Sequence, residues 1–182
     1  MDSGSWIETA SGNRISKEAH IHGSDHILIS GNTTVSPNCT LNGDVTLKEG
    51  KSSLQIGKFC FIDKHVHISP PVISHKKETK IHKPCKIGSY VIIGEETAIN
   101  SSNIGTRVSI GPNCKLGNSS IIHDCVIITP NTIIQDNQII PPFSLVLETN
   151  KIEPLPESFK KILEINSKKS YINNQFTPSE IP

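Results

Sequence analysis

Residues 104–146 read IGTRVSIGPNCKLGNSSIIHDCVIITPNTIIQDNQIIPPFSLV, and one spacing runs through them unbroken. Ile104, Ile110, Leu116, Ile122, Ile128, Ile134, Ile140 and Val146 stand six residues apart. Four residues after most anchors comes a smaller side chain: Val108, Cys114, Ser120, Val126, Thr132 and Ser144. Side chains six apart on an α-helix point in opposite directions, so the period is not helical. It suits a short strand with alternating side chains, followed by a corner turned by a small residue. Three strands and three corners make a triangular coil, and successive coils stack by parallel pairing.

The same interval extends towards the N-terminus. Anchors recur at Ile81, Ile87, Ile93 and Ile99, at Ile56, Ile62 and Ile68, and at Ile29, Val35, Leu41 and Leu47. A five-residue step joins Ile99 to Ile104. The small slot is filled by Cys39, Val45, Cys60, Val66, Val72, Cys85, Val91 and Thr97, and Gly follows the anchor at Gly57, Gly88, Gly94, Gly105, Gly111 and Gly117. The pattern predicts an all-β chain, a parallel β-helix of hexapeptide repeats over residues 29–150. Roughly six and a half coils would stand about 30 Å tall. Left-handed winding is implied by similarity to known hexapeptide-repeat proteins, not by the period. The composition agrees: hydrophobic residues are 35% and aromatic residues only 4%, because a narrow triangular interior admits aliphatic side chains and excludes rings.

Two interruptions break the count. Nine residues separate Leu47 from Ile56, which predicts a bulge around Glu49-Gly50-Lys51, and thirteen separate Ile68 from Ile81, which predicts an insertion at 69–80. Between Lys64 and Lys86 there are six lysines and one acid. That segment reads either as a solvated loop or as a docking patch for an acidic partner through Lys76, Lys77 and Lys80. Residues 1–28 read as an irregular lead-in, with Trp6 the one ring large enough to plug an end. Residues 151–182 read as a short helix, Glu157 to Ser167, and a tail. Phe159, Ile162, Leu163 and Ile165 are placed towards one side of that helix, and the segment as far as Phe176 is expected to fold back on the prism.

A formal net charge of +1 excludes a globally basic nucleic-acid binder. The chain shows no secretory leader at its start and no apolar run long enough to cross a bilayer. Five cysteines without a Cys-x-x-Cys pair argue for reduced thiols in a cytosolic or nuclear compartment. Cys39, Cys60, Cys85 and Cys114 fall in the inward slot as compact hydrophobes; Cys125 is out of phase.

Hexapeptide β-helices include acyltransferases and a zinc carbonic anhydrase class, so enzymatic chemistry must be weighed. His65 and His67 flank the inward Val66 and point outward, but no third ligand accompanies them. Against the carbonic anhydrase pattern, Asn42-Gly43-Asp44 keeps the aspartate and lacks its arginine, while Glu95 and Asn100 stand where zinc histidines would. His75 is the one histidine placed to serve as a transferase base. No catalytic residue, metal or cofactor is assigned. A scaffold is the favoured reading, and a transferase or degenerate carbonic anhydrase-like protein is the alternative.

The phase also predicts an interaction surface. The residue before each anchor points away from the prism, and over the later coils those positions are Ile121, Ile127, Ile133, Ile139 and Leu145. Ile121 should stack over Ile139, and Ile127 over Leu145. Such strips are covered or used.

Several segments are specific beyond the repeat. Glu8-Thr9-Ala10-Ser11-Gly12-Asn13, Asn42-Gly43-Asp44, Ser69-Pro70-Pro71, Pro141-Pro142-Phe143, Leu155-Pro156-Glu157 and Lys169-Ser170-Tyr171 together resemble the dynactin subunit 5 family, the 25-kilodalton pointed-end subunits. Asn42 departs from that family's usual arginine. The resemblance implies a non-enzymatic cytoplasmic, cytoskeletal subunit. Its implied partners are the sister β-helix dynactin subunit 6, a larger zinc-containing subunit and an actin-related protein at the pointed end. The implied role is to help dynein select membrane cargo, chiefly endosomes, through cargo adaptors, without nucleic-acid binding or membrane insertion.

Overall fold

The computed structural model describes residues 5–173. It is a left-handed parallel β-helix with one C-terminal helix, α1 (Phe159–Asn173). Three parallel sheets form the faces of a triangular prism. Face A stacks Ile15, Val35, Ile62, Ile93, Ile110, Ile128 and Val146 in register. Face B stacks Ile21, Leu41, Ile68, Ile99, Leu116 and Ile134. Face C stacks Ile29, Ile56, Ile87, Ile104, Ile122 and Ile140. Nearly all of these anchors are buried, with Cys39, Cys60, Cys85 and Cys114 among them. Among the described residues only face A is closed at both ends, by antiparallel strands at Trp6–Glu8 and Ile152–Pro154.

Two expected anchors lie elsewhere. Leu47 forms only an isolated bridge with His82, and Ile81 sits in an antiparallel hairpin opposite Ser74. Both are only half-buried, as are Val45 and Val72. The coil instead leaves at Gly43 and returns at Ser53, whose hydroxyl donates to the Gly43 carbonyl at 2.7 Å. The interior position is taken by Leu54, which is fully buried and pairs with Ile27 and Cys85. Two rungs appear earlier than expected. Arg14–Ser16 and His20–His22 are parallel strands of faces A and B, so the coil starts within the expected lead-in. Trp6 lies in the closing hairpin, half-buried, and is not part of the interior cluster.

Every departure from six falls at one corner. Four steps from face B to face C depart from six residues, Ile21 to Ile29, Leu41 to Ile56, Ile68 to Ile87 and Ile99 to Ile104, while the last two, Leu116 to Ile122 and Ile134 to Ile140, keep it. The corner from A to B is regular and polar, with Asn38, His65, Glu96, Asn113 and Asn131 all at positive φ and all exposed. The left-handed corner residue is therefore mostly asparagine, whose short polar side chain tolerates this conformation. Glycine after the anchor serves a different need. A Cβ at Gly57 would lie 2.6 Å from the Gly88 carbonyl carbon of the next coil, so close stacking excludes a side chain there.

Burial holds the inward thiols protonated. Desolvation raises Cys39 and Cys60 to about 11 and Cys85 to about 12. The unfolded chain ionises near pH 9 while the folded chain does not, so stability is complete below that pH. It should fall as pH rises towards the folded values, by about 4 kcal/mol per pH unit for three such thiols. Urea melts at pH 8, 9.5 and 10.5 test this, and Cys85→Val should flatten the slope. Independently, Ile110→Asp or Ile128→Asp places a carboxylate in the dry interior. The cost, about 5 kcal/mol or more, should abolish the cooperative thermal transition.

Candidate functional site

The corner from face C to face A is built unlike the other two. Asn32, Phe59, Tyr90, Arg107, Cys125 and Phe143 occupy its successive positive-φ positions, so their side chains form a column up the outside of the prism. Phe59 and Tyr90 stack in parallel planes with centroids 5.7 Å apart, and Arg107 lies 5.3 Å over Tyr90. α1 packs along this column. Fifteen residues of helix span about 22 Å, which matches five coils at about 4.8 Å.

The helix is held by polar contacts aimed at the column. Glu164 accepts two hydrogen bonds from Arg107 at 3.0 and 3.1 Å and one from Lys168 at 2.8 Å. Lys168 first, and then Arg107, lower the Glu164 carboxyl below its ordinary range. The Ser167 hydroxyl donates to the Phe59 carbonyl, and the Tyr171 phenol donates to the Gly12 carbonyl at 2.8 Å. Tyr171 also meets Phe59 edge-on. The buried positions are Leu163, Ser167 and Tyr171, each four residues on, while Ile162, Ile165 and Ile172 are exposed. Of the expected apolar side, Leu163 is seated and Phe159 is half-buried, whereas Ile162 and Ile165 face away. Ser167 is small enough for close approach to a carbonyl, and the Leu-Ser-Tyr spacing of four was the signal available. Cys125 is explained too: it is a corner residue at 2% exposure on this column, outside the prism. Phe176 lies outside the described residues.

Of the outward apolar positions, Ile121 stands directly opposite Ile139 on face C, and Ile127 opposite Leu145 on face A. The face A row is half-buried throughout, from Phe61 and Ile92 to Ile127 and Leu145, and α1 packs on the strand Phe61–Ile62. Ile133 and Ile139 remain 50% and 58% exposed. They sit on the last strands of faces B and C, whose outer edges have no pairing strand among the described residues. Ile133 stacks on Lys115 and makes no apolar strip.

The insertion is a hairpin, Val72–Lys76 with Thr79–His82, turning at Lys77 with φ 57°. Lys76, Lys77 and Lys80 are exposed on it, as is His75. Its base is pinned to the coil by Asn118, which accepts from the Val72 amide at 2.9 Å and donates to the Val72 carbonyl at 2.8 Å. His82 donates through Nδ1 to the Pro70 carbonyl at 2.8 Å, since a carbonyl can only accept. A polar cavity of about 460 Å³ lies beneath the hairpin, lined by Asn42, Asp44, His67, Lys80, His82 and Asn100 among others. It gathers three of the positions compared with carbonic anhydrase, but not Glu95. His65 lies away from it at the polar corner. Among the described residues no three His, Cys, Asp or Glu side chains are grouped to hold a metal ion.

A family profile described as Dynactin subunit 5 matches residues 1–180. The chain belongs to the dynactin subunit 5 family. Dynactin subunit 5 of Dictyostelium discoideum is 31% identical over 102 residues, which are 56% of this chain and 48% of that protein. The chain thus aligns with about half the length of that relative. Among solved structures, a hexapeptide transferase family protein of Anaplasma phagocytophilum superposes with a TM-score of 0.56 at 13% identity, covering 93% of this chain and 96% of its own. AntD, an N-acyltransferase of Bacillus cereus, gives 0.52 at 14% identity over 93% of both chains. At such identities the likeness shows the shared fold.

For this dynactin subunit 5 family member, the column under α1 yields a direct test. Leu163→Ala combined with Tyr171→Ala removes two seated side chains and should cost about 3 kcal/mol or more. Cys125 should then react rapidly with a thiol reagent in native buffer, while Cys39, Cys60 and Cys85 stay protected.

Proposed function

We propose that this chain is a non-enzymatic scaffold subunit of the dynactin pointed-end complex, supporting attachment of dynein to membrane cargo such as endosomes. The observation that carries this reading is the family match over residues 1–180. The arrangement of the surface supports it. The loop and the hairpin share the B-to-C corner while the helix takes the C-to-A corner, and the exposed Ile133 and Ile139 lie on strands whose outer edges have no pairing strand among the described residues. Its partners are then the sister β-helix subunit 6, the larger zinc-containing subunit, the actin-related pointed-end protein and cargo adaptors. Its place is the cytoplasm, on the cytoskeleton.

Within that assembly, the outward rows Ile121 with Ile139, Ile127 with Leu145, and Ile133 are the proposed lateral contacts. Lys76, Lys77 and Lys80 on the hairpin are a proposed patch for an acidic partner. The hairpin pairs within itself and is fixed at its base, so changing three lysines should leave the prism folded.

Co-purification from native extract, with partners identified by mass, tests the assignment. The dynactin pointed-end subunits should be recovered in near-equal amounts. Recovery of a homotrimer alone, the state a hexapeptide transferase needs to build its clefts, would sink the proposal. Ser replacements of Ile121 with Ile139, of Ile127 with Leu145, and of Ile133 should then be assayed for both melting and partner capture. A contact row loses capture with little change in melting. Ser at Lys76, Lys77 and Lys80 should weaken capture and reduce its salt dependence.

A further inference from the structure

α1 turns more isoleucine away from the prism than towards it. Leu163, Ser167 and Tyr171 lie on the seated side, while Ile162, Ile165 and Ile172 are 45, 46 and 49% exposed. At about 100° per residue these three, with Lys161 and Lys169, occupy one strip opposite the seated side. Isoleucine is a poorer helix former than lysine, glutamate or alanine, so helix formation does not call for it there. Exposed apolar side chains scattered singly need no explanation, but three on one strip do.

The spacing is that of a coiled-coil seam. Ile162, Ile165, Lys169 and Ile172 are separated by three, four and three residues, the a, d, a and d positions of two heptads. Lysine at an a position selects a partner at some cost in stability. Lys161 and Lys168 fall at the flanking g positions. The one acid of the helix, Glu164, is turned to Arg107 and Lys168, so the strip carries no negative charge. Lys161 and Lys169 are exposed and form no ion pair among the described residues. A second copy is a poor match, because pairing the seam with itself brings lysine towards lysine. The strip also lacks the Trp, Phe and Leu side chains with which a helix inserts into a membrane surface.

We propose that the outer face of α1 is a docking seam for an acidic amphipathic helix of another chain, with aliphatic residues at its own a and d positions and Asp or Glu facing Lys169 and Lys161. The aliphatic contacts give the pairing its hold, and the carboxylates give it its choice of partner. The prism supplies what so short a helix lacks alone. Arg107, the Phe59 carbonyl and the Gly12 carbonyl already fix α1 along its far side, so an incoming helix does not have to order it. The seam belongs to the chain by itself and stands whether or not the dynactin role does.

The probe is a synthetic peptide of three heptads, with leucine and isoleucine at its seam and glutamate at the flanking positions and opposite Lys169; its twin carries lysine instead. Binding of each labelled peptide to the full chain is followed by fluorescence anisotropy at two salt concentrations. The acidic peptide should bind at least about tenfold tighter than its twin, and the preference should shrink in high salt. Ile165→Ser with Ile172→Ser should weaken its binding by about tenfold or more. Lys161→Glu with Lys169→Glu should reverse the choice between the peptides. Cys125 should stay unreactive throughout, because α1 remains seated. Failure to hold the acidic peptide, equal binding of the two, or an acidic preference that survives both double variants would overturn the proposal. So would self-association of the native chain that the serine variant abolishes, which would make a second copy the occupant. Binding to phosphatidylserine vesicles that both variants abolish, with neither peptide held, would overturn it in favour of a membrane surface.

Discussion

Coils stacked at the spacing of paired strands, about 4.8 Å, leave little room at each level, and that closeness governs what each position accepts. Inward, one large aliphatic residue per strand fills the triangle, with a cysteine, valine, serine or threonine between. At the residue after the anchor, the next coil passes within 2.6 Å of where a Cβ would stand at Gly57. At the corner itself the backbone is left-handed, and asparagine recurs because it tolerates that conformation. The thiols follow from the same closeness. Burial without a neighbouring cation makes Cys85 a small hydrophobe with its proton held to about pH 12.

Once the faces are fixed, variety is possible only outside the triangle, and the chain distributes it by corner. The B-to-C corner takes every insertion and the one deletion. The A-to-B corner stays regular and polar. The C-to-A corner replaces asparagine with Phe59, Tyr90, Arg107, Cys125 and Phe143, and so becomes a seat for α1. A helix with so few seated apolar residues would be marginal in water. It is held because its hydroxyls and Glu164 meet carbonyls and a guanidinium already fixed by the coil. Each corner can thus present a different surface without disturbing the others. That separation suits a subunit with several neighbours.

Where the anchors repeat without a break, from Ile104 to Val146, the sequence could be read to the register, including Ile121 opposite Ile139. Legibility failed where two residues of equal hydrophobicity competed for one slot. Leu47 keeps the interval of six after Leu41, yet Leu54 is the buried one, because closure of the loop by Ser53 and Gly43 decides where the coil resumes. Ile81 is displaced by the pairing of its own hairpin. Such contacts join residues ten and seven positions apart and leave no mark in a period of six. Cys125 was legible as an exception but not as a seat, since the column has a period of one coil rather than one strand. The helix face is legible only at Leu163 for a related reason: the seat is aromatic and polar, so Ser167 and Tyr171 outrank Ile162 and Ile165.

A β-helix is by construction a template for its own extension, because each end offers strands ready to pair. This chain limits that risk unequally. Face A is stopped at both ends by an antiparallel strand, which cannot continue a coil of parallel rungs. At the C-terminal end the last face C strand, Ile139–Ile140, runs into Pro141 and Pro142, which have no amide proton to offer an incoming strand. No proline follows His20–His22 or Ile27–Gly31 before the chain turns. On face C the N-terminal edge therefore lacks the chemical stop that the C-terminal edge possesses, and the aliphatic side chains beside it are only half-buried.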